Sequence, residues 1–485
     1  MGAGSTFLFD SCIILDMSKK YITIAIPYVN GQPHLGHAMD YLLADVLRRY
    51  LLRRGDEVRV SAGTDEHGSK VFAKAEAEGV PVQEFVDKNA QKFQDFIRLL
   101  DVEYTDFIRT TDAEHKRRCQ EIWRRLEKHI YKGTYEGWYC EGCERFVTDK
   151  EYEENDGVCQ DHLKAYERLS EENYYLKIAD FKEKIRVAIE GDEMKITPVG
   201  RKKEFLNLLA DMPDVSISRP RKQLSWGVSV PGDEDQVMYV WIDALANYIT
   251  VLGYPDQDIS EWWPAQCQVV GKDILRFHAG IWPAILLGLG LELPRNLLAH
   301  GFITVNGGKM SKSVGNVVAP EDVLERHGVD AFRYYFLRHA PTTEDADYSD
   351  EKYEAAYNEL ANDLGNLVQR LATLCEKGGL EGVKVVGGDE DAKFDRLMEK
   401  YEFNVGFDYV WGRVQELNKR IDSEKPWELL KSDQKKAGAV LGEMAADLLL
   451  AADLLAVFLP GTAGKIVEIF GAEKIVAPEV PLFPK

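Results

Sequence analysis

Residues 21–27 read YITIAIP, and residues 57–63 read EVRVSAG. Between them, apolar side chains recur at Leu42, Leu43, Val46, Leu47, Tyr50 and Leu51, a spacing that places them on one face of a helix running from His34 to Arg54. Pro27 ends the first apolar run and Gly55 closes the helix. A strand, a helix and a second strand within about forty residues form a right-handed βαβ unit with parallel strands. No other stretch limits the fold so strongly. It predicts an α/β architecture, a Rossmann-like doubly wound parallel sheet.

The rest of the chain divides around that unit. Residues 1–16 read as an upstream extension, and 17–135 as the first half of a Rossmann-like catalytic domain. Residues 136–224, dense in Tyr, Glu and Gly, read as a connective insertion. Strand-like QVMYVWI (236–242) and QVVGK (268–272) are expected to resume the sheet within a second half, 225–300. A further strand near residue 300 leads into a lysine-serine loop in 301–355. Beyond it, YNELANDLGNLVQRLATL carries Tyr357, Leu360, Ala361, Leu364, Leu367, Val368 and Leu371 on one helical stripe. Residues 356–485 are therefore expected to form an α-helical bundle. The stretch LGEMAADLLLAADLLAVFLP is interrupted by Glu443, Asp447 and Asp453, so it reads as a bundle helix and not a membrane span.

A formal net charge of −21 argues against non-specific polyanion binding. Arginine pairs such as Arg48-Arg49, Arg53-Arg54 and Arg117-Arg118 leave room for local phosphate contacts or for plain solvated helix faces. An odd cysteine count in a long chain points to a reducing compartment. With no basic leader at the N-terminus, the expected location is cytoplasmic.

Three constellations carry chemistry. In PHLGH (33–37), Gly36 lets the backbone come close to a ligand at a helix N-terminus, where unpaired N–H groups suit phosphate. His34 and His37, three apart, can donate imidazole N–H groups to phosphate oxygens; the bland alternative is two surface histidines. In FITVNGGKMSKSV, Lys309 and Lys312 follow Gly307 and Gly308, which are expected to let the loop open and close. This stretch is either a solvated turn or a mobile loop that grips phosphate. Third, Cys140-x-x-Cys143, fifteen residues, then Cys159-x-x-His162 has the spacing of a tetrahedral zinc knuckle. A disulfide is the competing reading. Four ligands imply a structural ion, and Cys12, Cys119, Cys267 and Cys375 read as core or unpaired thiols.

PHLGH followed by a complete KMSKS resembles the two signatures of class I aminoacyl-tRNA synthetases, with Leu35 in place of isoleucine. AIPYVNG (25–31), GTDEHG (63–68), YVWIDALANY (239–248), VGKDILRFH (270–278), NELANDLGNLVQR (358–370) and KPW (425–427) are similar to the methionyl branch of that family. The resemblance implies activation of methionine by ATP with Mg2+, then transfer to tRNA(Met). It implies catalytic roles for His34, His37, Lys309 and Lys312. ATP would be held by these with Gly36, Met310, Ser311 and Ser313. Methionine would be bound by Ile26, Tyr28, Asp65, Trp241, Ala244, Leu245, Tyr248, Ile274 and His278. Zn2+ would sit in the insertion, and Asn366, Arg370 and Trp427 would read the anticodon. The chain lacks an insertion the size of a large editing domain, which speaks against the leucyl, isoleucyl and valyl types. A cysteinyl-type synthetase and a non-charging RNA-binding or nucleotidyltransferase relative remain the rival readings. No appended dimerisation domain is recognised, so a monomer is expected.

Overall fold

The computed structural model describes residues 18–140, 145–160, 162–239, 241–309, 318–383 and 391–484. Its centre is a six-stranded sheet in which every pairing is parallel. In spatial order the strands are Asp106–Arg109, Glu57–Thr64, Lys19–Ile24, Cys267–Gly271, Asn296–His300 and Lys195–Thr197. The expected βαβ unit is its middle: strand β1 (Lys19–Ile24), helix α1 (Leu35–Arg53) and strand β2 (Glu57–Thr64). Both faces of β1 are covered, with Tyr21, Ile22 and Ile24 buried, as a parallel sheet clad by helices requires. The strand order reverses between β1 and Cys267–Gly271. Sheets of this kind open a crevice for ligands outside the carboxyl ends of the strands at such a reversal.

Two expectations need correction. QVMYVWI does not resume the sheet. Asp233–Met238 is a strand of a separate three-stranded antiparallel sheet, and Trp241–Thr250 is a helix. One apolar run spans a strand end and a buried helix start, which periodicity alone does not separate. Conversely, Lys195–Thr197, inside the segment read as an insertion, returns to the central sheet as an edge strand. The antiparallel pair Ile130–Cys140 and Glu167–Leu176 begins six residues before that segment and with Arg145–Val147 and Val215–Ser216 makes a four-stranded sheet.

Beyond residue 350 the chain is mainly helical, and the seven stripe residues from Tyr357 to Leu371 are all buried. The apolar segment near 450 lies in helix Gln434–Leu455. Asp447 and Glu443 face Arg420 there, and Asp453 pairs with Arg53 of α1. The arginine pairs flagged in the sequence are likewise engaged: Arg48 with Glu103, Arg49 with Asp45, Arg54 with Glu399, and Arg117 and Arg118 with Asp256. They serve intramolecular pairing rather than an open phosphate track.

Candidate active site

A cavity of about 270 Å3 opens at the strand-order reversal. It is lined by the chain leaving β1, by the start of α1, by helix Trp241–Thr250, by Gly271–His278 and by His300–Phe302. His34, Gly36 and His37 form one end. The aromatic and aliphatic wall comprises Tyr28, Trp241, Ala244, Leu245, Tyr248 and Ile274. Ile26, Asp65 and His278 complete the set read from the sequence. Residues from Ala25 to Phe302 thus converge because each follows the carboxyl end of a central strand or a helix packed there.

At the His34 end the geometry fixes the proton positions. His34 caps α1: its Nδ1 accepts from the Gly36 N–H at 3.1 Å, and the Nδ1 of His37 accepts from the His34 N–H at 3.1 Å. A ring whose Nδ1 accepts carries its proton on Nε2 when neutral. The two rings stack at 3.7 Å, and Phe93 meets His37 edge-on. Burial, with His34 and His300 nearby, holds His37 well below the ordinary histidine range. His37 is thereby set as a neutral Nε2–H donor, and His34, accepting at Nδ1, turns its Nε2 outward beside it. Gly36 has a local reason as well: a Cβ there would meet the His34 ring at 2.9 Å. Its role is to let that ring lie over the helix start.

His300 was not legible in the sequence. Its Nε2 faces the Asp40 carboxylate at 2.8 Å and its Nδ1 faces the Gly301 carbonyl at 2.9 Å. Burial opposes charging this ring, but the Asp40 carboxylate and the carbonyl outweigh it and raise its pKa. Both ring nitrogens of His300 thus face acceptors beside the stacked His34–His37 pair. Asp40 lies one turn along α1 from His37, so α1 supplies both the His37 ring and the carboxylate that His300 faces.

The opposite wall is uncharged. The His278 Nδ1–H donates to the Ile274 carbonyl at 3.0 Å, so its Nε2 accepts from the Tyr248 hydroxyl at 2.7 Å. Burial lowers His278 to about 4. The Trp241 indole stacks on Phe277 at 3.6 Å. Such a wall suits a polarisable apolar side chain. Asp65 is buried on the facing rim, its N–H donating to the Pro27 carbonyl at 2.9 Å and its carbonyl accepting from Val29. Two residues on, His67 bonds Asp243 at 2.6 Å, tying the Asp65 loop to the helix that carries Trp241. That tether also escaped sequence reading.

The lysine-serine loop springs from the same rim. Lys309 ends a hairpin of Ile303–Val305 with Gly308–Lys309. Asn306 and Gly307 form its turn, both at positive φ, as a tight two-residue hairpin demands. The Gly307 N–H donates to Asp347 at 2.7 Å. The expected glycine hinge is therefore a pinned turn. Met310, Ser311, Lys312 and Ser313 lie outside the described residues.

In the insertion, ligand atoms of Cys140, Cys159 and His162 lie within 4.8 Å of one another. The two thiols are buried and the imidazole is exposed. Donors about 2.0–2.3 Å from one tetrahedral zinc need such a cluster, and its chemistry fits that ion. Cys143 lies outside the described residues. Cys119, Cys267 and Cys375 are buried thiols, as expected, while Cys12 is not among the described residues. In the bundle, Asn366 and Arg370 are exposed one turn apart on helix Asn366–Gly378. Arg370 pairs with Asp422 at 2.7 Å, and Trp427 follows at the start of Pro426–Ser432, packed partly against the core.

Acid stability follows from the buried histidines. Burial lowers both His115 and His278 to about 4. The unfolded chain's histidines titrate near 6.5. A lowered histidine contributes stability that is complete above 6.5 and lost as pH falls through about 4, roughly 3 kcal/mol for each group. His300 has the opposite sign, since its raised pKa gives stability below 6.5 that is lost as pH climbs. Chemical unfolding of the parent is expected to weaken more steeply than that of His115→Asn as pH falls from 6.5. Equal slopes would remove His115 from the account.

The family model for tRNA synthetases class I (M) matches residues 20–168 and 160–372. A curated methionine–tRNA ligase of Caldanaerobacter subterraneus subsp. tengcongensis is 39% identical over 474 residues, covering 93% of this chain and 74% of its own length. That of Mycobacterium leprae is 38% identical and covers 94% of this chain and 90% of its own length. Among solved structures, Mycobacterium tuberculosis methionyl-tRNA synthetase in complex with methionyl-adenylate superposes with a TM-score of 0.89 at 34% identity, over 97% of this chain and all of that one.

Proposed function

The chain belongs to the methionine–tRNA ligases, the M type of class I tRNA synthetase, and on that premise we propose that it activates methionine with ATP and transfers it to tRNA(Met). One observation carries this reading. Two stacked histidines whose Nδ1 atoms both accept backbone N–H groups at a helix N-terminus share one cavity with an aromatic wall. Phosphate fits the first and a thioether the second.

In this reading the methionine side chain lies among Tyr28, Trp241, Ala244, Leu245, Tyr248, Ile274 and His278. Asp65 pairs with the α-ammonium group near the Ile26 backbone. That places the carboxylate toward the His34 end, where it attacks the α-phosphorus of ATP. Pyrophosphate leaves and methionyl-adenylate forms. No side-chain nucleophile is required; the protein supplies position and charge stabilisation. Nε2–H groups of His34 and His37 donate to phosphate oxygens. Lys309 and Lys312, with Met310, Ser311 and Ser313, close over the departing pyrophosphate. Mg2+ enters with ATP and screens its phosphates. The terminal tRNA ribose then takes the methionyl group, while Asn366, Arg370 and Trp427 hold the anticodon. Arg370 leaves Asp422 to do so, exchanging an exposed ion pair of small value for a base contact.

Cys140, Cys143, Cys159 and His162 would hold zinc, which braces the insertion. None of the three described ligands lines the active cavity, which separates this arrangement from a cysteinyl type that binds substrate through its metal. Treating the protein with a strong chelator is expected to release one zinc per chain and disorder the insertion. Zinc analysis of the purified chain, followed by circular dichroism after chelation, checks this. A chain that retains full near-UV signal with no metal would dismiss the structural ion.

ATP–pyrophosphate exchange across a panel of amino acids tests the reading as a whole. Exchange is expected with methionine at least a hundredfold above leucine or cysteine, with ATP-dependent charging of tRNA(Met). Exchange with cysteine alone, or none at all, would overturn it.

A further inference from the structure

Lys272 has no part in the chemistry above, yet it stands between two residues that line the cavity, Gly271 and Asp273. It directly follows the central strand Cys267–Gly271, and its N–H donates to the His300 carbonyl at 3.0 Å, which carries the pairing of two central strands one residue further. A lysine at a strand end is free to run its ammonium group out into water. This one turns back, with 18% of its side chain exposed. Its Nζ donates to both carboxylate oxygens of Asp345, at 2.5 and 2.7 Å, and lies 4.4 Å from the centre of the Phe302 ring. Phe302 lines the cavity together with His34 and His37.

Asp345 precedes the short strand Ala346–Tyr348, which pairs in parallel with Ile303–Val305, the first strand of the hairpin that ends at Lys309. Its carboxylate also accepts from the Phe302 N–H at 2.9 Å, and the Ala346 N–H donates to the Phe302 carbonyl at 2.9 Å. The two segments meet closely: a Cβ at Gly301 would lie 2.2 Å from the Glu344 carbonyl. Asp345 thus holds the root of the hairpin, as Asp347 holds its turn through the Gly307 N–H. Hairpin and strand form one body, and Lys272 ties that body to the end of a central strand. Asp345 is half exposed, and an ion pair so open to water adds little to stability. Rate is more sensitive, since a displacement of about 1 Å in a reacting site can cost about a hundredfold.

We propose that Lys272 is a positioning residue for the activation step: through Asp345 and the Phe302 ring it sets the Lys309 hairpin relative to the histidine end of the cavity. The inference rests on the synthetase reading and adds to it a residue that touches no substrate.

Methionine-dependent ATP–pyrophosphate exchange and thermal unfolding are measured on the full-length protein. Lys272→Met keeps a stem over Phe302 and removes the charge. Asp345→Asn keeps an oxygen for the Phe302 N–H and removes the ion pair. Each is expected to lower the exchange kcat about tenfold, with half-saturating methionine within about twofold of the parent and the melting temperature within about 2 °C. Lys272→Arg, which still pairs with Asp345, is expected to restore the rate. The double variant Lys272→Met with Asp345→Asn is expected to be no slower than either single one, because the two side chains act as a unit. Were Lys272 to meet phosphate itself, Asp345→Asn would release it and exchange would hold or rise; that result overturns the proposal. Losses that multiply in the double variant, or a melting temperature that falls in step with the rate, overturn it as well. A parent silent in methionine exchange overturns the functional reading instead, which no comparison among the variants imitates.

Discussion

Replacing His37 with alanine is expected to slow adenylate formation by about two to three orders of magnitude while methionine affinity stays within about twofold. The Nε2–H of His37 is aimed by its own backbone contact: Nδ1 accepts from the His34 N–H, leaving only the far nitrogen to donate. A donor fixed in this way needs no reorganisation when charge builds on the α-phosphate, which is where such groups act on rate rather than on binding. In the proposed reading methionine lies against the other wall, so its affinity has no reason to change. The substitution also deletes half of a helix cap, at a cost of about 1 kcal/mol. Thermal unfolding of the variant separates that loss from the chemical one. Stopped-flow pyrophosphate release and methionine titration give rate and affinity. A variant that forms adenylate at the parental rate would remove His37 from the phosphate site. Because burial keeps His37 well below the ordinary range, the parental rate should show no inflection near 6.5 that can be assigned to this residue.

What was legible in the sequence depended on distance along the chain. The βαβ unit and the PHLGH turn are local: strand, turn and helix start are neighbours, and their spacing fixes the geometry. The nine residues placed in the methionine pocket were named through resemblance, and all nine line the cavity. Periodicity alone would have assigned Trp241 and Tyr248 to ordinary core. What could not be read was pairing across long separations. Asp40 and His300 are 260 residues apart, and neither sits in a motif, so nothing local announces their ion-pairing contact beside the histidine pair. The His67–Asp243 tether crosses 176 residues in the same silence. Lys195–Thr197 failed for a different reason: a three-residue edge strand is too short to show alternation. The glycine pair before KMSKS misled because glycine marks both hinges and positive-φ turns, and here Asp347 holds it as a turn.

Arg333→Ala is expected to destabilise the protein by about 3–5 kcal/mol. The guanidinium is fully buried. It donates to Asp45 of α1 at 2.7 Å, to the Phe458 carbonyl of the helical bundle at 2.6 Å and to the Leu100 carbonyl at 3.2 Å. Three parts of the chain therefore meet on one side chain. Its removal leaves two carbonyls unmet and, among the described residues, Asp45 supported only by Arg49, with one carboxylate oxygen already lacking a partner there. Each unmet group costs its desolvation, and the vacated volume adds to the loss. Urea unfolding followed by tryptophan fluorescence measures the change. Replacing both partners, as Asp45→Leu with Arg333→Met, is expected to recover much of it, because an apolar pair of similar volume needs no hydrogen bonds. Since α1 also carries His34, His37 and Asp40, looseness here should reach the phosphate end of the cavity. Arg333→Ala is therefore expected to lower the exchange rate more than the affinity for methionine. If the double replacement were no more stable than Arg333→Ala alone, the loss would come from packing rather than from the orphaned carboxylate.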